Sequence, residues 1–575
     1  MLEFRKVSQI ALFALLVGFA AAAWAQKDAG AIVGIVRDQT GAVVGAAKVT
    51  VSDADRGTQV VISTNEAGEY IASPLRIGHY TVTVEKAGFK KAVAGPIEVN
   101  IQDRVAVDLK LQTGAVSETI TVSGEAPQLE TETSELGQVV DQRRINALPL
   151  NGRNYAQLAL LGAGVAPAEP GSRVETSYGF SANGARSLQN NFLLDGIDNN
   201  ANLGDVLNGS AYVVQPSVDA IAEFKVETNS YSAEFGRGNG AIMNAVIKSG
   251  SNKFHGDLFE FVRNEKLDAT NAFDIFGRQP YKQNQFGFTL GGPIIKNKTF
   301  FFVDYEGERI RQALPQLVSI PTPDELGGNF SSILQNQPAQ AVDANGNPVA
   351  QNAVDCNGNP TYVGEIFNSR LAQQNFAGNP NRLCGVPIAT SGGQPTNIFP
   401  SGSIDPLAAR LAVLFPAPTP NNTLSGGNYL SDPKRSETDN KFDVRIDHTF
   451  TAKDNFFARF SYGVSKNFLP SPFSNALDGG AFQDGYSENS ARGLAASEIH
   501  SFRPNLINEL RFGFNHLNSH RFNLNYNVDV AQQLNFQGVP FSSGIGGLPS
   551  ISFSDGTRPS AAPDICRRLN GKTVM

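Results

Sequence analysis

From residue 30 to 112 the chain alternates apolar and polar positions in short runs: AIVGIVRD, AKVTVSD, QVVISTN, GEYIAS, HYTVTVEKAGF and VAVDLKLQ. Turn formers separate them at Gln39-Thr40-Gly41, Asp55-Arg56-Gly57, Asn65-Glu66-Ala67-Gly68 and Arg76-Ile77-Gly78. A period of two over runs this short predicts strands, and six or seven at this spacing predict an antiparallel β-sandwich. After Gly250 the same period returns in longer segments. Phe286, Phe288 and Leu290 share one face of QFGFTLGG, with Gln285, Gly287 and Thr289 on the other. Phe442, Val444, Ile446 and Phe450 oppose Asp443, Arg445, Asp447 and Thr449, and Leu510, Phe512 and Phe514 oppose Glu509, Arg511 and Gly513. Short turns at Ile295-Lys296-Asn297-Lys298 and in TAKDN fold these runs into hairpins. Aromatic residues on one face and charges on the other fit a barrel with lipid outside and a polar lumen inside. Half-buried strands of a soluble sheet share that period.

Two regions differ. Residues 113–135 are rich in Thr and Glu and lack a core-forming pattern, which predicts a flexible linker. Within it, Glu118-Thr119-Ile120-Thr121-Val122 has the β-prone alternation needed to add a strand to a partner's sheet edge. The same five residues would also serve as a last edge strand of the sandwich. Residues 136–253 mix signals: the helix-like VVDQRRINALPL, the polar turn Asn151-Gly152-Arg153-Asn154, and the strand FLLDGIDNN with its acidic Gly turn. IAEFKVET and a Gly-dense segment holding Gly236, Gly238 and Gly240 then lead into AIMNAVIK. This is the pattern of an α+β domain. Between about 311 and 437 the alternation lapses into Asn-, Gly-, Pro- and Gln-rich sequence, which predicts one long loop.

Composition narrows the class. The 575 residues include 38 Phe against one Trp, 56 Gly, and only 18% charged residues. Past the N-terminus there is no apolar run of 20 residues, so a membrane would be crossed by strands, and a mean hydropathy of −0.19 does not exclude that. The net charge of −7 leaves no basic footprint for nucleic acid. At the start, Arg5 and Lys6 precede the apolar stretch Ile10 to Ala23, and Ala23-Trp24-Ala25 supplies a small-x-small pattern, predicting a secretory signal at residues 1–25 cleaved after Ala25.

The chain has three cysteines, Cys356, Cys384 and Cys566. The first two lie within the loop-like region, and in an exported protein a loop disulfide Cys356–Cys384 is the natural reading, with two unpaired thiols as the alternative. No metal-ligand spacing, nucleophile–base arrangement or cofactor signature is identifiable. His79 stands alone and reads as a strand residue. Gly236 to Gly240 lacks phosphate-loop spacing and opens no helix. Asp198, Asn200 and Asn202 alternate like the start of a calcium loop, but Leu203 and Gly209 occupy the positions that need Gly and Glu.

Two resemblances organise these readings. GxVxDxxGAVVxGAxVTV and TNEAGEYxxxxLxxGxYTVTVEKAGF resemble the carboxypeptidase regulatory-like domain, a transthyretin-like sandwich; a carbohydrate- or protein-binding role and a plain spacer role fit its residues equally. Leu194-Asp195-Gly196, Ile221 to Val226 and Ala241 to Lys248 resemble the plug of TonB-dependent outer-membrane receptors, and LPLNGRN with EFKVETNSYSAEFGRGNGA is similar to the Oar-like branch. The second resemblance implies a plug motif at Asp195, Gly196, Gly236, Gly238 and Gly240, and a TonB box at Glu118 to Val122. It also implies a TonB-type periplasmic energising protein, outer-membrane lipid and a small ligand such as a siderophore or oligosaccharide as partners.

The expected order is thus a mainly β chain. It comprises signal peptide 1–25, sandwich 30–112, linker 113–135, α+β plug 136–253 and a partial antiparallel transmembrane β-barrel 254–562. The resembled barrels have 22 strands, whereas the residues left here supply about 8 to 12 strands of ~10 residues. The basic tail 563–575 breaks the alternation, so the expectation is a truncated or frameshifted receptor, with a naturally smaller barrel as the alternative. The expected function is energised uptake with no catalysis. The rivals are a surface adhesion or envelope-structure protein displaying the sandwich, and a non-functional receptor fragment.

Overall fold

A computed structural model describes residues 29–114, 119–122, 135–150, 152–168, 179–201, 212–270, 276–342, 348–368, 385–420, 427–473, 475–477, 485–503, 506–539, 541 and 546–548. The expected signal segment with Ala25, residue Glu118, Cys384, Cys566 and the tail 563–575 lie outside the described residues.

The N-terminal body is a sandwich of two sheets. Its strands are β1 (Gly30–Asp38), β2 (Lys48–Asp53), β3 (Gln59–Ser63), β4 (Glu69–Leu75), β5 (Gly78–Glu85), β6 (Lys91–Val99), β7 (Arg104–Ala106), β8 (Leu109–Leu111) and β9 (Thr119–Val122). One sheet runs β4-β1-β7, with β8 also on β1, and the other β3-β2-β5-β6-β9. The expected all-antiparallel pairing fails at two places: β7 and β8 lie parallel to β1, and β9 lies parallel to β6. Ile32, Val36, Val49, Val82, Val84 and Val99 are fully buried between the sheets, each contributing about 1.5–3 kcal/mol of transfer free energy. Strand β6 escaped the sequence reading because Gly95-Pro96 interrupts KAVAGPIEV, and such a run reads as a break.

The plug follows with β10 (Leu136–Asp141), β11 (Val165–Pro167), β12 (Phe180–Ala182), β13 (Asn191–Leu194), β14 (Ile197–Asp198), β15 (Ile221–Asn229) and β16 (Ile242–Ile247). Its main sheet runs β10-β15-β16-β13-β14. Phe192, Leu194, Phe224, Val226, Met243 and Ala245 pack from this sheet onto Ile145, Tyr155 and Leu158. The helix expected across VVDQRRINALPL is confined to Gln142–Ala147. Asp141 caps it by accepting from the Arg144 N–H at 2.8 Å, while Val139 and Val140 pair with β15. Tertiary pairing overrides the local pattern there.

The third body begins with β17 (His255–Asn264), β18 (Tyr281–Ile295) and β19 (Thr299–Ala313). Short strands β20 (Gln316–Val318), β21 (Gln340–Val342), β22 (Pro348–Asn352), β23 (Thr390–Ser391), β24 (Gln394–Pro395) and β25 (Tyr429–Ser431) come next. They make three two-stranded ladders, β20 with β25, β21 with β22 and β23 with β24. The long strands resume as β26 (Lys434–Thr451), β27 (Asp454–Leu469), β28 (Gly485–Arg503) and β29 (Leu506–Phe522). The loop thus spans 314–433, slightly less than expected, because β19 and β26 pair out to Ala313 and Lys434.

Strands β17-β18-β19-β26-β27-β28-β29 form one antiparallel seven-stranded sheet whose two edges remain unpaired among the described residues. Among the described residues this sheet has seven strands where eight to twelve are expected, because β18, β19 and β26 to β29 are 15 to 19 residues long. That is roughly 50–65 Å, about twice the apolar band of a bilayer. The faces separate as expected: Leu510, Phe512 and Phe514 are exposed, whereas Asp443, Arg445 and Asp447 are buried against the plug. An open sheet spans lipid only once further strands close it.

Candidate functional site: the seat of the plug in the lumen

Leu194 and Ile197 pair across β13 and β14, and the two residues between them, Asp195 and Gly196, have φ of +50° and +68°. This is a two-residue hairpin turn of the type that needs left-handed backbone, which Asp tolerates and Gly favours. The turn carries the Asp195 carboxylate into full burial. Its Oδ1 accepts from the Ile247 N–H at 3.1 Å and from Arg445 Nη1 at 3.0 Å. Its Oδ2 lies 2.6 Å from Arg459 Nε, a contact of charge more than of hydrogen-bond alignment. Arg511 Nη1 donates to the Asp195 carbonyl at 3.2 Å. Three lumen arginines from β26, β27 and β29 therefore converge on one plug residue.

Each arginine is itself held. Arg445 forks onto both oxygens of Asp447 at 3.1 Å, donates to the Ile247 carbonyl at 2.8 Å, and lies over the Phe457 ring at 4.5 Å. Ser249, just past β16, donates to Asp447 Oδ2 at 2.7 Å. Arg459 donates to Ser461, which donates to Asp443. Arg511 pairs with Glu509. Buried ions cost more to desolvate than they return unless every lone pair is matched, so such a network sets register more than it adds stability.

A second contact is made by Arg153, in the turn that follows LPL. With φ of +47° it turns its guanidinium to Asp219 of the plug and to Glu306 of β19 at 3.7 Å. The same group lies 4.6 Å and 4.5 Å from the ring centres of Phe259 and Phe261 on β17. Glu306 is also reached by Lys441 Nζ at 2.9 Å and Ser217 Oγ at 2.8 Å. Burial raises the Asp219 carboxyl and Arg153 opposes that rise.

The Gly-dense segment has a steric role. A Cβ on Gly238 would stand 1.9 Å from the Gln189 carbonyl oxygen, and one on Gly240 2.4 Å from Asn190 Oδ1. Gly236 has no atom within 4 Å of that point. Two of the three glycines therefore let 236–240 lie against the approach to β13. Asp198 pairs with Arg237 at 3.2 Å, the Asn200 amide nitrogen donates to Asn191 at 2.8 Å and its oxygen accepts from the Phe192 N–H at 2.9 Å; Asn202 lies outside the described residues.

The remaining candidates separate. Thr119 to Val122 are β9, the outer strand of the sandwich, each residue paired to Lys91 to Ala94 of β6. Cys356 is disulfide-bonded, and its N–H donates to the Gly385 carbonyl at 2.9 Å. His79 is a β5 residue, 3.3 Å from Asp55. Among the described residues, Glu308, Glu437 and Asp439 on the lumen face, and Asp454, Glu498 and His500 near the β26–β27 turn, bring ligand atoms within 4.8 Å of one another. Gln283 donates to Glu308 and Arg435 pairs with Glu437, so the first group is engaged already.

Sequence reasoning placed Asp195, Arg445 and Arg511 on their elements and Arg153 in its polar turn but brought none of them together, and it did not single out Arg459. The usable signal was the set of arginines on the polar, lumen-facing side of β26, β27 and β29. Partners some 250 positions apart leave no trace in local pattern.

Residues 246–567 match the outer membrane beta barrel domain, and residues 31–112 match the carboxypeptidase regulatory-like domain. The chain is 29% identical over 311 residues to the TonB-dependent transporter Oar of Myxococcus xanthus. That match takes in 52% of this chain and 28% of Oar, so the chain spans less than a third of its curated relative. Similar solved structures include the outer membrane transporter YddB of Escherichia coli, at 13% identity and TM-score 0.39, covering 66% of this chain and 39% of that one. The siderophore receptor PirA of Acinetobacter baumannii is similar at 13% identity and TM-score 0.31, covering 68% and 49%. The chain belongs to the outer-membrane β-barrel family, is placed in the outer membrane, and carries a carboxypeptidase regulatory-like domain ahead of its barrel domain.

Proposed function

We propose that this chain is the plug-bearing part of an energised outer-membrane receptor that takes up a small ligand, such as a siderophore or oligosaccharide. The observation that carries the reading is the seat of Asp195 among Arg445, Arg459 and Arg511. It fixes one edge of the plug sheet to the barrel wall. The sheet order puts β14 and β10 at opposite edges, and β10 is the strand joined through residues 123–135 to β9. Once the sandwich has yielded, tension on β9 would reach β10 before any other plug strand and strip it from β15, while Arg459 and Arg511 still tie the Asp195 edge to the wall. A path would then open by partial unzipping, with the plug still held in the lumen. A TonB-type periplasmic protein is the proposed source of tension, acting through Glu118 to Val122.

Removing residues 118–122 from the protein in its native outer membrane tests this. Uptake of iron-loaded siderophores and maltooligosaccharides is measured beside surface binding of the same panel. The proposal expects uptake to vanish and binding to persist. Unchanged uptake would refute energised transport and leave surface display as the reading.

A further inference from the structure

The N-terminal sandwich is seated on both other bodies at once. Ile101, in the turn after β6, is fully buried and its N–H donates to the Glu223 carboxyl of β15. Arg76, between β4 and β5, reaches Asp447 of β26 at 3.9 Å. The Asn252 N–H donates to the Asp55 carbonyl at 3.2 Å, and Asn252 also exchanges hydrogen bonds of 2.8 and 2.9 Å with Asn297 in the β18–β19 turn. Gly57 lies so close to that turn that a Cβ would stand 2.5 Å from Asn297 Oδ1. Asn297 belongs to the short-turn end of the sheet, opposite the long loop 314–433, and short turns face the periplasm in such barrels.

We propose that the sandwich is a docked periplasmic cap that completes the plug latch through Arg76, and that it must undock before the plug can open. The proposal rests on the uptake reading only for its purpose; the docking itself is independent of ligand and energy source. Asp447 is shared between Arg445 and Arg76, and Arg445 is shared between Asp447 and Asp195. Withdrawing Arg76 leaves Asp447 to draw Arg445 more strongly, and so weakens the hold on Asp195. The cap and the latch are thereby one chain of charges: Arg76, Asp447, Arg445, Asp195, Arg459. Strand β9 is itself an edge of the cap, so tension applied there loads the cap before it loads the linker.

Amide hydrogen exchange on the full chain in outer-membrane vesicles tests this without any ligand. The amides read are residues 99–103 for docking, Ile247 for the latch, and β5 for the integrity of the sandwich. Arg76→Ala and Glu223→Ala should each speed exchange at 99–103 by about tenfold while β5 stays protected. Arg76→Ala should also speed Ile247, whose N–H is held by Asp195. Should Arg76→Ala loosen β5 as well, Arg76→Gln, which keeps the side-chain stem, carries the same two expectations. Unchanged exchange at 99–103 overturns the docked cap. Faster exchange there with Ile247 unchanged overturns its part in the latch. Neither readout involves uptake, so a failed transport test leaves the proposal standing.

Discussion

Asp195 Oδ2 and Arg459 Nε meet at 2.6 Å across the seam between plug and barrel, with both side chains essentially inaccessible to water. Breaking a buried pair on one side leaves an uncompensated charge, at a typical cost of about 3–5 kcal/mol. Asp195→Asn retains a residue that accepts the +50° backbone, so its effect should report the charge and not the turn. We expect plug strands β13 and β16 to lose a comparable part of their exchange protection, with the barrel strands unchanged. Protection in β16 equal to wild type would remove Asp195 from the latch.

Gly238 and Gly236 make a matched steric test. Gly238→Ala places a methyl 1.9 Å from a backbone oxygen that cannot move without shifting the entry to β13, whereas Gly236→Ala meets nothing. The first should cost the plug about 1–3 kcal/mol or more and the second close to none. Limited proteolysis of the plug in vesicles separates them, and equal resistance of the two variants would contradict the close approach.

Docking of the sandwich should depend on pH. Burial raises the Glu223 carboxyl from an ordinary value near 4.5 to about 8, the Ile101 N–H opposes the rise, and Asp103, Glu98 and Asp141 add to it. A group whose pKa is raised on docking binds more protons in the docked state. Docking is therefore strongest below about pH 4.5, weakens as pH rises, and levels off above about 8. Exchange at 99–103, corrected for the intrinsic pH dependence of amides, should follow that course in the wild type and be nearly flat in Glu223→Gln. A slope retained in Glu223→Gln would assign the titration elsewhere.

The half-cystine at Cys356 should be joined to Cys384. The Cys356 N–H reaches the carbonyl of Gly385, which brings the neighbour of Cys384 beside it. Closing that loop would stabilise it by ~3 kcal/mol in the chain-entropy model. Peptide mapping without reduction should recover a 356–384 linked pair; a link from Cys356 to Cys566 would contradict the assignment.

Strand periodicity made the sandwich and the barrel faces legible, because a period of two records which side is buried. Thus Phe512 faces outward and Asp443 inward, as their alternation implies. The Asp195-Gly196 turn was legible for the same local reason. Four features were not. Strand β6 is hidden by Gly95-Pro96, and the helix expected over Val139 and Val140 yields to pairing with β15. Thr119 to Val122 suit a free peptide and an edge strand equally, and only the fold places them on β6. The meeting of Asp195 with Arg445, Arg459 and Arg511 depends on sheet order, which no local pattern records.

The central claim is that the plug is latched to the barrel through one shared cluster of charges. A double-mutant cycle of Asp195→Asn and Arg459→Gln, read as the opening free energy of the β16 amides in outer-membrane vesicles, tests it most directly. If the two side chains act as one latch, the double variant should lose less than the sum of the single losses, with a coupling of about 1.5 kcal/mol or more. Additivity within about 0.5 kcal/mol would show two independent contacts and contradict the latch.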